Sequence, residues 1–180
     1  YQTYTYQTKP PPQTYQTTIF QPPTSAGTTM GETGEGGGIP TIEIVEGSFE
    51  WWQKGQRITA YEAGIPVELR FKLKIIGTYN GPITVRMRYD IPQTTDEDVE
   101  GATKTYFISA SGTPQNPAIV TISHTFTPQR STGLLGQRFG IFPIIDSQYG
   151  PVFNIGGVTG GTNKRVSLGA EIFAQGGWRV

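Results

Sequence analysis

The sequence predicts an all-β protein: a single β-sandwich, immunoglobulin-like or jelly-roll in type, carrying a long extended N-terminal arm. Three observations lead there. The first is alternation. Val67, Leu69, Phe71, Leu73 and Ile75 interleave with Glu68, Arg70, Lys72 and Lys74, and Ile83, Val85, Met87, Tyr89 and Ile91 interleave with Thr84, Arg86, Arg88 and Asp90. A period of two with one apolar row marks strands with one buried and one solvated face. The second is punctuation: 24 Gly and 14 Pro in 180 residues cut the chain into short segments, as turn-rich β folds require. The third is the first 38 residues, whose Thr, Gln, Pro and Gly leave too few aliphatics for a core of their own.

The arm and its tether span residues 1–38, and the sandwich domain spans 39–180. Tyr-Gln-Thr recurs at positions 1–3, 6–8 and 15–17, with Pro10-Pro11-Pro12 between copies and Pro22-Pro23 after the second. The prolines forbid helix and favour an extended spacer. Residues 1–9 and 13–21 then read as two short strands. Tyr4 and Tyr6 share one face of the first. Tyr15, Thr17 and Ile19 share a face of the second, with Gln16, Thr18 and Phe20 opposite. Residues 24–38 form a glycine-rich tether that lacks the Gly-Lys-Ser/Thr ending of a phosphate loop. Fully extended, the first 23 residues reach roughly 75 Å, against a radius of gyration of about 15 Å for the domain behind them. The arm is long enough to leave its own domain.

Within the domain, Ile42 and Ile44 begin the first strand, and Trp51-Trp52 lies in the second with one indole in and one out. Gly77 to Pro82, containing Asn80-Gly81, reads as the turn of a hairpin between the two alternating strands. Its outer face would be basic, with Arg70, Lys72, Lys74, Arg86 and Arg88 pairing with acids such as Glu62 or Glu171. Strands are also expected over 104–110, 118–126, 139–145 and 152–155, and a last one from Arg165 to Ala174 with Val166, Leu168, Ala170 and Ile172 inward. No helix is expected.

The chemistry-bearing residues are sparse. With no Cys, disulfides and thiol chemistry are excluded. Balanced charge, 14 basic against 14 acidic, gives no field for nucleic acid or anionic lipid. No apolar run is long enough to span a bilayer. The one histidine, His124, lies on an apolar face with no nucleophile at motif spacing, so it reads as a core residue and the protein as no enzyme. Calcium is the only metal with a candidate set, Asp96, Asp98 and Glu100, although the EF-hand pattern is missing. The same acidic loop is also suited to meet the basic face of a neighbouring subunit. No other cofactor is implied.

Function therefore falls to the arm. Strand addition to a neighbour's open sheet uses main-chain hydrogen bonds and alternate side chains. Used head to tail, it makes filaments. The expected protein is a structural subunit of an extracellular, pilus-like filament at the cell surface, assembling with copies of itself. Tyr4, Tyr6, Tyr15, Ile19 and Phe20 are its interface side chains. A first residue of Tyr rather than Met agrees with removal of a signal peptide. The alternatives are a virion capsid or decoration protein whose arm straps its neighbours, and a secreted module that binds surface carbohydrate on Trp51-Trp52 and the tyrosines.

Overall fold

The computed structural model describes residues 38–156 and 159–176. The five arm residues Tyr4, Tyr6, Tyr15, Ile19 and Phe20 lie outside them. The described strands are β1 (Thr41–Ile44), β2 (Glu50–Gln53), β3 (Gln56–Arg57), β4 (Ala60–Tyr61), β5 (Val67–Asp90), β6 (Glu97–Asp98), β7 (Lys104–Gly112) and β8 (Ala118–Phe126). They continue with β9 (Gly140–Ser147), β10 (Gly150–Phe153) and β11 (Ile172–Ala174). A 3-10 turn occupies Leu134–Gly136 and one helix, α1, occupies Gly161–Ser167. The expected all-β architecture is thus present. The strands join in a single sheet curled into a half-barrel.

β5 is the axis of that sheet. Along its 24 residues, every odd position from Val67 to Ile75 and from Ile83 to Tyr89 is buried. Tyr79 keeps the series going through the middle, only 1% exposed. Each such aliphatic or aromatic side chain contributes about 1.5–3 kcal/mol on burial. One edge of β5 carries β8 along its first half, from Val67↔Phe126 to Ile75↔Ala118. The same edge carries β7 along the second half, from Gly77↔Gly112 to Val85↔Lys104, and β6 beyond it. The other edge carries β1 and β2, then β9. β9 is flanked outward by β10 and β11, and β11 by β4 in the one parallel pairing among the described strands.

Two expectations fail here, for identifiable reasons. Residues 77–82 are no hairpin turn: β5 runs straight through them. Neither Asn80 nor Gly81 has the positive φ a tight hairpin turn needs; Gly77 does, at 96°. That glycine bends the strand, and Pro40 packs on it closely enough that a Cβ would stand 3.1 Å from the Pro40 Cα. The continuous partner β7–β8 on one side holds the chain extended where the local sequence would let it reverse. The second failure is the strand over 165–174. Residues Gly161–Ser167 are helical and only Ile172–Ala174 pair. The helix ends in a Schellman motif: Ala170 N–H donates to Arg165 O at 2.8 Å, Gly169 N–H donates to Val166 O at 3.0 Å, and Gly169 takes φ 77°. The apparent inward row misled because Val166 is exposed and Arg165 buried.

Where β7 passes to β8 the corner is tight. A Cβ at Gly112 would lie 2.3 Å from the Ala118 nitrogen and 2.6 Å from the Ile75 oxygen. Both are backbone atoms that cannot step aside. Gly112→Ala is therefore expected to lower stability by about 1–3 kcal/mol. At Gly81 a Cβ would first meet the Gln148 Oε1, the end of a flexible side chain, at 2.7 Å. Gly81→Ala should cost clearly less, and urea unfolding of both variants checks the order.

Candidate functional site

The outer edge formed by β7 and β8 is the first feature of interest. Each of these strands pairs with β5 alone among the described residues. Their sequences, Lys104–Gly112 and Ala118–Phe126, contain one formal charge, Lys104, and no proline. Edges are normally guarded by charges, prolines or bulges. This one presents an exposed Phe107, 64% accessible.

The curl brings the two strands face to face across the core. His124 of β8 is fully buried and bridges to the β7 side. Its Nε2 lies 2.8 Å from the Ala102 carbonyl oxygen, and its Nδ1 lies 2.8 Å from the Tyr106 hydroxyl. A carbonyl only accepts, so Nε2 carries the proton and Nδ1 accepts from the tyrosine. The ring stacks on Phe126, with centroids 5.8 Å apart. Burial, aided by the charge of Lys104, pushes its pKa down to about 4, against the pull of the Ala102 hydrogen bond. The neutral ring is a latch between the two lips, in keeping with a core residue.

The second feature escaped sequence reasoning. Arg165 of α1 is buried over the outer face of β9, its Cζ 3.6 Å from the Phe142 ring centroid. Its Nε donates to Glu171 Oε1 at 2.7 Å and its Nη2 approaches Asp90 Oδ2 at 3.2 Å. Its Nη1 donates to the Ile155 carbonyl. Thr162 donates to Asp90 Oδ2 at 2.8 Å. Burial, then a hydrogen bond to Asp90 and its charge, push the Glu171 carboxyl up to about 9 despite Arg165. The guanidinium thus lies between Asp90 and a Glu171 carboxyl that keeps its proton well above the usual carboxylate range. The cluster pins α1 and Ile155 to the sheet beside an open cleft of about 800 Å³. The available signal was glycine punctuation: Gly160 at φ 76° and Gly169 at φ 77° bracket the helix.

The acidic loop, also suited to the basic face of a neighbouring subunit, meets the basic face of its own chain. β6 pairs with the end of β5, so Asp98 faces Arg86 at 3.2 Å and Arg88 at 3.5 Å, and Glu97 faces Arg130. Lys74 lies 3.6 Å from Glu43, and Arg70 meets Glu68 at 2.8 Å. Glu62 pairs with Lys54 and Glu171 with Arg165, so neither serves the basic face. Of the calcium candidates, Asp98 thus faces two guanidinium groups. Burial and the nearby Asp90 raise the Asp96 pKa, and exposed Glu100 lines a separate cleft beside Lys104. Among the described residues, no three His, Asp or Glu side chains gather as a metal set. Trp51 is buried, its Nε1–H donating to Gly169 O at 2.9 Å. Trp52 points outward under Arg70, whose Cζ lies 4.2 Å from the ring centroid. No helix among the described residues is long and apolar enough to cross a membrane. The sequence matches no protein-family model and no curated protein.

Proposed function

We propose that this chain is a non-enzymatic structural subunit of an extracellular filament. The N-terminal arm of one copy adds a strand to the open sheet of the next. The observation that carries this reading is the nearly uncharged β7–β8 edge, with β5 as its only strand partner among the described residues. An unguarded edge of that length templates further pairing. The arm supplies matching strand-forming residues at Tyr4, Tyr6, Tyr15, Ile19 and Phe20. In this reading the two facing halves of the curled sheet act as the two layers of a sandwich, completed by the donated strand. Residues 1–23 are then dispensable for folding and required for assembly.

Removal of residues 1–23 tests it. The full chain is expected to form particles whose size grows with concentration in sedimentation and that appear as fibres by electron microscopy. The shortened chain should remain a folded monomer with unchanged β-type circular dichroism. Normal polymerisation of the shortened chain would sink the proposal, as would a closed shell in place of fibres.

A further inference from the structure

We infer that the acceptor strand is β7 and that residues 15–20 of a neighbouring copy pair with it antiparallel, with Phe20 opposite Phe107. This rests on the reading of the protein as a self-assembling subunit and adds the surface, the segment and the register.

Four observations converge on it. On β7 and β8 the inward-facing positions are buried at Ala110, Ala118, Ile122, His124 and Phe126, but Ile108 and Val120 are only partly covered. Their partners on β5 are Gly81 and Leu73, equally far from the bend at Gly77. Ile108 and Val120 are inward apolar side chains of the lip that remain partly open. The neighbouring outward residue, Phe107, is the large aromatic left 64% exposed.

The arm carries the complement in order. Antiparallel pairing with Phe20 opposite Phe107 sets Ile19 opposite Ile108, Thr18 opposite Ser109, Thr17 opposite Ala110, Gln16 opposite Ser111 and Tyr15 opposite Gly112. Ile19 then lies on the inward face beside the partly open Ile108. Thr18 extends an outward polar row in which Ser109 already bonds to Asn80. Phe20 covers Phe107, and aromatic and hydroxyl cross-strand pairs of this kind are individually stabilising. A slip of one residue would turn Ile19 outward, into the row of Phe107 and Ser109, and Phe20 inward. Pro22-Pro23 ends the segment just past this register, as proline ends pairing.

The donor is a second copy because of where the chain leaves the domain. Pro40 packs on the bend at Gly77, and β1 follows along the edge of β5 away from β7. The chain's own arm would have to cross back over that bend to reach β7.

The protein has no cysteine, so engineered pairs report without background. Full chains bearing Phe20→Cys and Phe107→Cys are mixed, assembled and oxidised. A cross-link between the two chains is expected, since opposed Cβ atoms in an antiparallel pair lie about 4.5–5.5 Å apart. Phe20→Cys mixed with Tyr149→Cys, an exposed position elsewhere, should give none. Phe107→Lys, at an exposed site that leaves the core intact, should slow assembly at least tenfold with no change in melting temperature. Assembly without the Phe20–Phe107 cross-link overturns the assigned strand and register while the filament reading stands. A cross-link formed within a single dilute chain bearing both substitutions overturns the exchange between copies. Absence of assembly by the unaltered chain at every concentration overturns the filament reading itself, and this inference with it.

Discussion

Arg165→Met is expected to destabilise the fold by about 3–5 kcal/mol, because removing one partner of a buried ion pair strands the other. The side chain is 3% exposed and makes hydrogen bonds in three directions: Glu171, Asp90 and the Ile155 carbonyl. Methionine keeps an apolar stem against Phe142, so packing is largely preserved and the loss isolates the charge. Without the guanidinium, Asp90 keeps the Thr162 hydroxyl but no longer has its buried cation. Urea unfolding measures the loss, which corresponds to a fall of roughly 10 °C in melting temperature for a chain of this size. The double substitution Arg165→Met with Asp90→Asn should recover a substantial part of it, since the uncompensated charge is gone. A loss under about 1 kcal/mol would place the cluster with surface ion pairs, whose removal is nearly neutral.

Stability should be level between about pH 4.5 and 6.5 and then fall toward pH 9, by roughly 1.4 kcal/mol per pH unit at most. Two buried groups set this shape with opposite signs. His124 is pushed down to about 4 when folded, from an ordinary value near 6.5. Between those values the unfolded chain binds more protons, so stability rises with pH. What His124 contributes is fully present above pH 6.5 and lost as pH falls through about 4. Glu171 is pushed up to about 9 from an ordinary 4.5. There the folded chain binds more protons, so stability falls as pH rises through that window. From 4.5 to 6.5 the slopes cancel, and above 6.5 only Glu171 acts. Denaturant midpoints across pH 4–9 check the profile. Glu171→Gln should remove the alkaline fall and reveal a rise from pH 4 to 6.5. His124→Gln should start the fall at pH 4.5. A flat wild-type profile from 6.5 to 9 would show that Glu171 is ionised when folded.

Much of the sheet was legible because alternation is a local property. Val67 to Ile75, Ile83 to Tyr89 and Ala118 to Phe126 each display their buried row in the order of their residues, and burial follows from amphipathic period alone. Trp51 inside and Trp52 outside follow by the same rule. The break at 77–82 was misread because Asn-Gly is a strong turn signal only when no partner strand competes. Arg165 to Ala174 was misread because a buried arginine inverts the pattern that a hydrophobic row relies on. Of the buried cluster, nothing in the sequence joins Asp90, Arg165 and Glu171, since two of them are adjacent to neither a motif nor each other.

Composition and period sufficed for the all-β class, the alternating rows of β5 and β8 and the core role of His124. These depend on which residues are neighbours along the chain, and a strand's two faces are decided by that order. The path of β5 through Gly77, the folding of the acidic loop onto its own basic face, and the Arg165 cluster depend on which distant segments meet. They were decided by tertiary packing: β7 and β8 offered β5 a continuous hydrogen-bonding partner, and the curl buried Asp90 and Glu171 where only a guanidinium could follow.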